Sequence, residues 1–317
     1  MTTSLYKQLC SVNCLYSSWL SVKEKGSAGG IDKLSVKEFD LQHEKQIESL
    51  AKELENLTYI PEPYQEVQMR KSDGDFRSLG LPTVRDKIVQ YAIQNLIGPL
   101  LEKNFLNVSY AYRKNKGAVK AICRVKHMIY VEHREWVTVC DIDKYFDNIN
   151  HSLLFEMLDK KLKDEALLNL IKMFICMGRV DKNNKWKDTE KGIPQGAVIS
   201  PLLSNFYLNS FDKMMTDNQF GLLRYADDFI VLSHKEEQAY DALNKTKFFI
   251  ENNLKLCLNP DYLVKNVKDG FDFLGIHFQG KTIGLSQKKL NNITDKINNA
   301  FGIENNKYFN MPHQQSI

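Results

Sequence analysis

Apolar residues in the first part of the chain follow helical spacing and then strand spacing. Ser35 and Glu38 form a capping-box start, and apolar positions from Ile47 to Leu57 then recur on one helical face. The pattern therefore predicts one helix over this stretch. Two short strands joined by a polar turn are expected after it, at residues 65–69 and 77–81.

The rest of the chain alternates between helical and strand-like segments. A helix that opens at residues 82–83 should be interrupted or kinked at Gly98-Pro99. Alternating apolar residues predict a strand from Trp136 to Ile142. Four helices are expected next, at 151–163, at 165–177, from Ser200 as N-cap and Pro201 as first helical residue, and at 235–253. A strand is expected at 271–278. This mixture favours an α+β domain built on a small antiparallel sheet.

The most informative polar interruption is Tyr225-Ala226-Asp227-Asp228, which lies between apolar runs at 222–223 and 229–232. This arrangement predicts a β-hairpin with the two acids at its turn. Adjacent carboxylates repel each other, but together with a third acid they can bind a divalent cation that lies between them. Nucleotidyl transfer with two metal ions uses such an arrangement. A solvated Asp-Asp turn is the simpler interpretation, so the chemistry depends on the other residues.

Composition narrows the class of protein only a little. The 317 residues are 43% hydrophobic and 26% charged, as in an ordinary globular protein. No apolar run is long enough to span a membrane, and the N-terminal residues lack the apolar core of a signal peptide. The six cysteines form no CxxC pair, so free thiols in a reducing, cytoplasmic environment are expected.

Positive charge is concentrated in one segment, although the net charge is only +4. Residues 113–134 contain seven Lys or Arg and a single acid, Glu132, with tyrosines close by. Basic residues interleaved with aromatic ones suit a phosphate backbone and stacked bases. A solvated helix face is the competing interpretation. The predicted nucleic-acid contacts are Arg113, Lys114, Lys116 and Lys120.

A third acid that can join the hairpin pair is Asp141, near the end of a predicted strand. Only folding can bring Asp141 and Asp227 together, because 86 residues separate them. Asp143 shares the strand face and competes for the role. Between these acids, residues 192–196 read Gly-Ile-Pro-Gln-Gly, which predicts a tight loop whose backbone can approach a ligand closely. Gln195 would offer that ligand a hydrogen bond, whereas a plain turn is the alternative.

Together these segments resemble the fingers and palm of a reverse transcriptase, in order and in spacing, over roughly residues 26–280. Palm motifs are matched by VTVCDIDKYFDNINHSLL (137–154), GIPQGAVISPLLSNFYLN (192–209), LLRYADDFIVL (222–232), LKLCLNP (254–260) and FDFLGIHF (271–278). Within the family, the chain looks most like bacterial group II intron-like enzymes, in a compact form such as defence-associated or CRISPR-associated reverse transcriptases. That likeness is carried by GSAGGIDKLSVKEF (26–39) and RSLGLPTVRDKIVQYAI (77–93).

The resemblance implies an α+β right-hand polymerase fold. It has fingers, a palm of antiparallel sheet packed on helices, and a short or truncated thumb. The implied boundaries are 1–60 for an N-terminal extension and first fingers motif, 61–135 for the fingers, 136–280 for the palm with its catalytic acids, and 281–317 for the start of the thumb or a C-terminal tail.

The resemblance also implies residue roles. Asp141, Asp227 and Asp228 match the catalytic acids, which would hold two Mg²⁺ ions, with Mn²⁺ as a substitute. Phe146 matches the residue under the nucleotide sugar, whose bulk would clash with a ribose 2′-hydroxyl and so favour dNTPs. The other matched positions are Lys71 and Arg77 for the triphosphate, Gln195 for the nucleotide and Gly275 for the primer end.

The chain departs from the family pattern near its C-terminus. Asp261 and Tyr262 follow Asn-Pro where intron-like relatives often have a lysine, and the first lysine is Lys265, which puts a general-acid lysine in doubt. Residues 285–301 look like a first thumb helix. A full thumb, a maturase domain and an endonuclease module are expected to be absent, and residues 302–317 are expected to fray.

The expected function is RNA-directed DNA synthesis from an RNA template, with a DNA or RNA primer and dNTPs. The compact build favours antiphage defence with a dedicated noncoding RNA over a group II intron-derived or CRISPR-associated role. An oligomer or a partner subunit would replace the missing thumb, and no membrane is expected. The alternatives are an RNA-directed RNA polymerase, which the bulk of Phe146 disfavours, and an inert RNA-binding scaffold, which the three acids disfavour.

Overall fold

The computed structural model describes residues 4–26, 28–70 and 76–301, which form helices and strands in alternation. The helices are α1 (Leu5–Leu9), α2 (Val12–Lys25), α3 (Val36–Asp40), α4 (His43–Glu55), α5 (Val84–Glu102), α6 (Ala118–Tyr130), α7 (Tyr145–Asn148), α8 (His151–Leu162), α9 (Glu165–Cys176), α10 (Ser200–Asp217), α11 (Glu236–Phe248) and α12 (Gln287–Phe301). The strands are β1 (Tyr64–Arg70), β2 (Phe76–Leu81), β3 (Trp136–Cys140), β4 (Arg179–Val180), β5 (Trp186–Lys187), β6 (Gly221–Tyr225), β7 (Asp228–Ser233), β8 (Leu263–Asn266), β9 (Phe271–Phe273), β10 (Ile276–Gln279) and β11 (Thr282–Leu285).

The described strands form three sheets. The N-terminal sheet has the order β2-β1-β4-β5, the central sheet β6-β7-β3-β8, and the C-terminal sheet β11-β10-β9. The central sheet is antiparallel throughout, and β3 lies inside it, with Val137 opposite Leu232 of β7 and Lys265 of β8. Because β3 is hydrogen-bonded to a strand on each side, the residue that follows its C-terminal end is fixed relative to the β6-β7 hairpin.

Both faces of the central sheet are buried. Along β7, Phe229 and Val231 belong to the main core with the helices, whereas Ile230 and Leu232 belong to a second core. This alternation follows the two-residue period of a strand. The second core also contains Val125 of α6 and buried phenylalanines of the C-terminal sheet. Packing from two sides therefore restrains the hairpin that carries the Asp pair.

The helix expected after Ser35 starts as predicted but is two helices. The capping box is present, since the Ser35 hydroxyl accepts from the backbone N–H of Glu38 at 3.2 Å and the Glu38 carboxylate accepts from that of Ser35 at 2.8 Å. The prediction of one continuous helix is wrong, because α3 ends at Asp40 and α4 begins at His43. The His43 ring lies 2.7 Å from the Asp40 carbonyl oxygen, which gives the end of α3 a side-chain partner.

The sequence predicts an interruption or a kink at Gly98-Pro99, and the interruption is wrong, since α5 runs unbroken through Pro99 to Glu102. A proline inside a helix removes one backbone hydrogen bond. Ile97 and Leu101 flank the proline and are fully buried in the main core. Tertiary packing of these side chains offsets the lost bond, and local sequence could not show that.

The strand expected over 271–278 is a tight hairpin of β9 and β10. Leu274 and Gly275 form its two-residue loop, and both have positive φ, 52° and 77°. A two-residue hairpin needs such angles to match the twist of its strands. The apolar run concealed this turn, because Leu274 is an unusual residue at positive φ.

Other expectations are confirmed. The structure places β1 and β2, α8 and α9, and the hairpin β6-β7 where the sequence predicts them, and α12 matches the expected helix at 285–301. The helix expected at 235–253 is α11 followed by a π-helical turn at Phe249–Asn253. The fraying expected at 302–317 falls outside the described residues. None of the helices within the described ranges combines the length and apolar character needed to cross a membrane.

A close backbone approach at Gly30 yields a stability prediction. A Cβ atom on buried Gly30 would lie 2.6 Å from the backbone nitrogen of Thr83, at the start of α5. The contacted atoms belong to the backbone and cannot move aside as a flexible side chain could. Gly30→Ala should therefore lower the free energy of unfolding by about 1–3 kcal/mol. Urea denaturation followed by circular dichroism measures this. Gly284→Ala is the matched control, because no atom lies within 4 Å of its added Cβ. Equal midpoints for the two variants would contradict the close approach.

Candidate active site

The acidic pair lies on a two-residue hairpin. Tyr225 and Asp228 form the last pair between β6 and β7, so Ala226 and Asp227 make the turn. Ala226 is 5% exposed and has a φ of 59°, as a two-residue hairpin requires at its first turn position. Asp227 therefore lies at the turn and Asp228 at the first position of β7, both half-buried at one edge of the central sheet.

A buried ion pair anchors this hairpin. Arg224 is 1% exposed, and its Nε and Nη2 donate to the two carboxylate oxygens of Asp212 on α10, at 2.7 and 2.6 Å. Its Nη1 donates to the Ala226 carbonyl at 2.9 Å and to the side-chain oxygen of Asn205 at 3.0 Å. A buried guanidinium needs such partners. The turn beside Asp227 is thereby fixed to α10.

Asp141 follows directly after β3. Its carbonyl accepts from the backbone N–H of Asn259 at 2.8 Å, and the N–H of Asp143 donates to the Cys257 carbonyl at 2.9 Å. The segment 257–259 therefore holds the chain as it leaves the sheet. Asp141 is exposed at this edge, and its charge acts on Asp228.

Electrostatics shows that the three acids form one cluster. Burial, followed by repulsion from Asp227, raises the pKa of Asp141 to about 6. Burial, followed by repulsion from Asp141 and then Asp227, raises the pKa of Asp228 to about 7. Burial also raises the pKa of Asp227, against the opposing charges of Arg77 and Arg224. Asp143, the competing candidate, affects the pKa of Asp141 less than Asp227 does.

The donor chemistry of this cluster fits a hard divalent cation. Among the residues that the structure describes, no three His, Cys, Asp or Glu side chains are arranged to enclose a metal ion by themselves. Mg²⁺ is commonly held by one or two carboxylates together with water and substrate phosphates, and not by an all-protein cage. Crowded carboxylates with raised pKa values are groups that such a cation stabilises in their ionised form.

The loop 192–196 packs against the turn that follows Asp141. The backbone N–H of Gly192 donates to the Ile149 carbonyl and that of Ile193 to the Phe146 carbonyl, each at 2.7 Å. Gly192 has a φ of 84°, and a Cβ atom there would lie 2.7 Å from the Phe146 carbonyl oxygen. Only glycine allows this approach. Phe146 is thereby brought beside the loop that carries Gln195.

The other side of the loop contacts the N-terminal sheet. The N–H of Gly80 on β2 donates to the Gln195 carbonyl at 2.7 Å. The buried side chain of Gln90 accepts from the N–H of Val198 at 2.8 Å. Ser200 was expected to cap α10, but Ile199 holds that position and the Ser200 hydroxyl donates to the Pro194 carbonyl at 2.7 Å. The loop therefore joins the central and N-terminal sheets.

Of the two basic residues predicted for the triphosphate, the structure describes one. Arg77 lies on β2, is exposed, and its charge lowers the pKa of Asp227, so it faces the acidic turn. Lys71 lies outside the described residues.

A cleft of about 830 Å³ extends from Asp228 to α12. Gly275 lines it, so the structure brings the glycine predicted for the primer end into the same cleft as an acid of the pair. The charged side chains that line the cleft are basic at Arg70, Lys288, Lys289 and Lys296 and acidic at Asp228, Asp272 and Asp295. The four basic side chains are of the type that contacts a phosphate backbone.

The predicted basic patch needs one correction. Arg113 is not available to nucleic acid, because its side chain is 5% exposed and donates to Glu102 at 2.7 Å and to the Ser109 carbonyl at 2.9 Å. Lys116 donates to the Asn107 side chain at 3.1 Å. Lys114 and Lys120 are exposed, and the Lys120 ammonium donates to the Asn115 carbonyl at 2.7 Å.

The Arg224 network was missed by sequence reasoning. The available signal was a charged residue directly after the apolar pair Leu222-Leu223 in a predicted strand, because a buried charge requires a partner. The partners, Asp212 and Asn205, could not be identified, since nothing in their local pattern separates them from other polar residues of α10. Tyr112 was also missed as a residue of the site, although its pKa responds to Asp227 and Arg77.

The chain is similar to known proteins in sequence and in fold. A family model described as reverse transcriptase (RNA-dependent DNA polymerase) matches residues 69–278. The chain is 29% identical to protein YkfC of Escherichia coli over 81% of this chain and 77% of that protein. It is also 29% identical to the group II intron-encoded protein LtrA of Lactococcus lactis, over 74% of this chain but only 39% of LtrA.

The fold is also similar to that of a solved telomerase from Candida albicans, with a TM-score of 0.56. The match covers 80% of this chain and 50% of the telomerase chain, at 12% sequence identity. At this identity the likeness concerns the fold alone.

The raised pKa values yield a prediction about stability and pH. Between about pH 4 and 7, the folded protein holds protons that the unfolded protein has released, so these acids make the metal-free protein less stable as pH rises. Asp228→Asn should therefore exceed wild type in unfolding free energy at pH 8, by on the order of 1–2 kcal/mol, and match it near pH 4.

Urea denaturation in a chelating buffer across this pH range measures the difference between the two proteins. Asp217→Asn, which changes an exposed acid at the end of α10, should follow the wild-type curve. A difference between Asp228→Asn and wild type that does not grow with pH would contradict the clustering of charges.

Proposed function

This chain belongs to the reverse transcriptase family, and we propose that it copies an RNA template into DNA at the cluster of Asp141, Asp227 and Asp228. The observation that carries the proposal is that carboxylates from two separate segments act on one another at one edge of the central sheet, where the pKa values of all three acids are raised. Such an arrangement is costly for the folded protein without a cation, so its presence favours a metal-dependent function.

The three carboxylates would hold two divalent cations, proposed to be Mg²⁺ with Mn²⁺ as a substitute, whose chemistry is activation of a primer 3′-hydroxyl and stabilisation of leaving pyrophosphate. The protein's own contribution is positioning. Arg224 fixes the turn beside Asp227 through the Ala226 carbonyl, and the segment 257–259 fixes the chain after β3. Preorganised charges of this kind stabilise a transition state without further rearrangement.

The incoming dNTP would lie between Arg77 and the acids. Arg77 supplies a positive charge opposite Asp227 for the triphosphate, and Lys71 is the second residue proposed there. Gln195 would contact the nucleotide from the loop that Gly80 and Gly192 hold in place. Phe146, beside that loop, would lie under the sugar and exclude a 2′-hydroxyl.

The template and primer would occupy the cleft between Asp228 and α12. Gly275 would support the primer end, and the basic residues of the cleft would contact phosphates. Lys114, Lys116 and Lys120 are proposed to contact nucleic acid further from the acids. Exposed apolar residues on α12, namely Leu290, Ile293 and Ile297, support the proposal that an oligomer or partner subunit completes the thumb.

The biological role that we propose is antiphage defence with a dedicated noncoding RNA as template, and this proposal rests on the sequence resemblance. A group II intron-derived or CRISPR-associated role is the competing proposal, and the similarity to LtrA supports the intron-derived one. Sequencing of RNA and cDNA bound to the protein in its host separates them, because one abundant noncoding RNA is expected for the first role and intron RNA for the second.

The first functional prediction concerns the turn acid. Asp227→Asn removes one charge from the cluster with little change in shape, so primer extension on an RNA template should fall at least about a thousandfold. Binding of the template–primer duplex should stay within about threefold of wild type, because the basic contacts remain. Extension with Mg²⁺ and a gel-shift titration measure the two effects. Asp217→Asn is the control, and substantial extension by Asp227→Asn would refute the assignment.

The second functional prediction concerns sugar selectivity. Phe146→Val shortens the side chain proposed to lie under the sugar, so incorporation of ribonucleotides should rise about tenfold or more relative to dNTPs. Parallel incorporation assays with dNTPs and NTPs measure this ratio. Phe155→Val, on α8, is a control of the same size and should retain the wild-type ratio. Efficient ribonucleotide incorporation by the wild-type enzyme would instead favour an RNA polymerase.

A further inference from the structure

Residues 108–110, which precede α6, run alongside strand β6 of the β6-β7 hairpin. Ser109 pairs with Arg224 in parallel, and the Arg224 backbone exchanges hydrogen bonds with Val108 and Tyr110 at 2.8 and 2.9 Å. The segment then turns at Ala111 and Tyr112, directly after the residues that bind the Arg224 backbone. Tyr112 therefore follows closely on a part of the chain that is fixed to the β6-β7 hairpin.

The residues on either side of Tyr112 are fixed. The Ala111 carbonyl accepts from the Asn205 side chain at 2.8 Å, which ties it to the Arg224 network. The Arg113 guanidinium donates to the carbonyl of Ser109 at 2.9 Å and to that of Phe105 at 3.3 Å. Tyr112 itself is 58% exposed. An exposed aromatic ring is thus held between two anchored neighbours.

Tyr112 has a strained backbone conformation within a turn. Its φ is 59°, a left-handed conformation that is unfavourable for a bulky side chain. Leu57 has nearly the same φ, 58°, but it follows the end of α4, where left-handed residues commonly terminate helices. Tyr112 is at no helix end, and little of the ring is packed. Backbone strain of this kind is common at functional sites, where contacts with the surrounding structure maintain it.

The surroundings of the ring indicate what it contacts. Burial of the hydroxyl, and next the charge of Asp227, raise the pKa of Tyr112, while the charge of Arg77 lowers it. The side chain is therefore near enough to Asp227, proposed for the metal, and to Arg77, proposed for the triphosphate, for both charges to act on it. A nucleotide bound by these two residues would lie near the ring, which offers its base a stacking surface.

We propose that Tyr112 is a substrate-contacting residue whose ring stacks on the base of the incoming deoxynucleotide. This inference rests on the proposed function. It accounts for an aromatic residue at a strained, exposed position beside the acids, and it assigns to the segment before α6 a role in binding the nucleotide. Stacking accepts every base, because each base has a π-face, so the contact would favour binding without selecting a sequence.

The test compares variants that keep or remove the ring. Tyr112→Leu removes aromatic stacking at similar bulk, so KM for each dNTP in primer extension should rise about tenfold, with the Kd of the template–primer duplex unchanged. Tyr112→Phe keeps the ring and should stay within about twofold of the wild-type KM. Leu57→Ala is the matched control, since Leu57 is also exposed and left-handed but lies elsewhere, and it should behave as wild type.

A second variant without an aromatic ring separates the loss of stacking from a folding defect. Tyr112→Asn suits the left-handed backbone, so it should fold, keep the wild-type melting temperature and show the same rise in KM. Similar KM values for the Leu, Asn and Phe variants would overturn the stacking role, as would a loss confined to duplex binding. Wild-type protein that fails to extend a primer contradicts the proposed function. Normal extension with an unchanged KM in both ring-free variants contradicts only the role of Tyr112.

Discussion

The buried ion pair between Arg224 and Asp212 is the constraint on which the rest of the site depends. Removing one partner of such a pair typically costs about 3–5 kcal/mol, because the other charge is left unpaired in the interior. This cost gives the pair a positional effect. Arg224 can satisfy its donors only when β6, α10 and the Ala226 carbonyl are in register. Its backbone also binds the segment that carries Tyr112.

This rigid support is needed because the buried acids themselves destabilise the folded protein. The pKa values of Asp141, Asp227 and Asp228 are raised mainly because the folded protein buries these acids, and repulsion between carboxylates raises those of Asp141 and Asp228 further. Two cores, one on each face of β7, hold the hairpin against that repulsion. A site that stores unfavourable charge is stabilised by the cation that it binds, and this is a common compromise between stability and function.

The site is assembled where three sheets approach one another. The central sheet carries the acids, the N-terminal sheet carries Arg77, and the β9-β10 hairpin of the C-terminal sheet carries Gly275. Glycines permit the closest approaches, as Gly192 does at the Phe146 carbonyl. The positions of the residues proposed to contact the nucleotide therefore depend on contacts between elements and not on any single motif.

The sequence by itself determined many of the local elements and predicted the three acids of the site, because periodicity, capping and turn chemistry act over a few residues. The capping box at Ser35 and the hairpin at Asp227 are examples. Only the tertiary structure decided that α5 continues through Pro99, that Arg113 is buried against its own loop, and that Arg224 pairs with Asp212. It also placed Tyr112 beside the acids. Each of these outcomes depends on burial and on partners distant in sequence, which are properties of the packed chain and not of a local pattern.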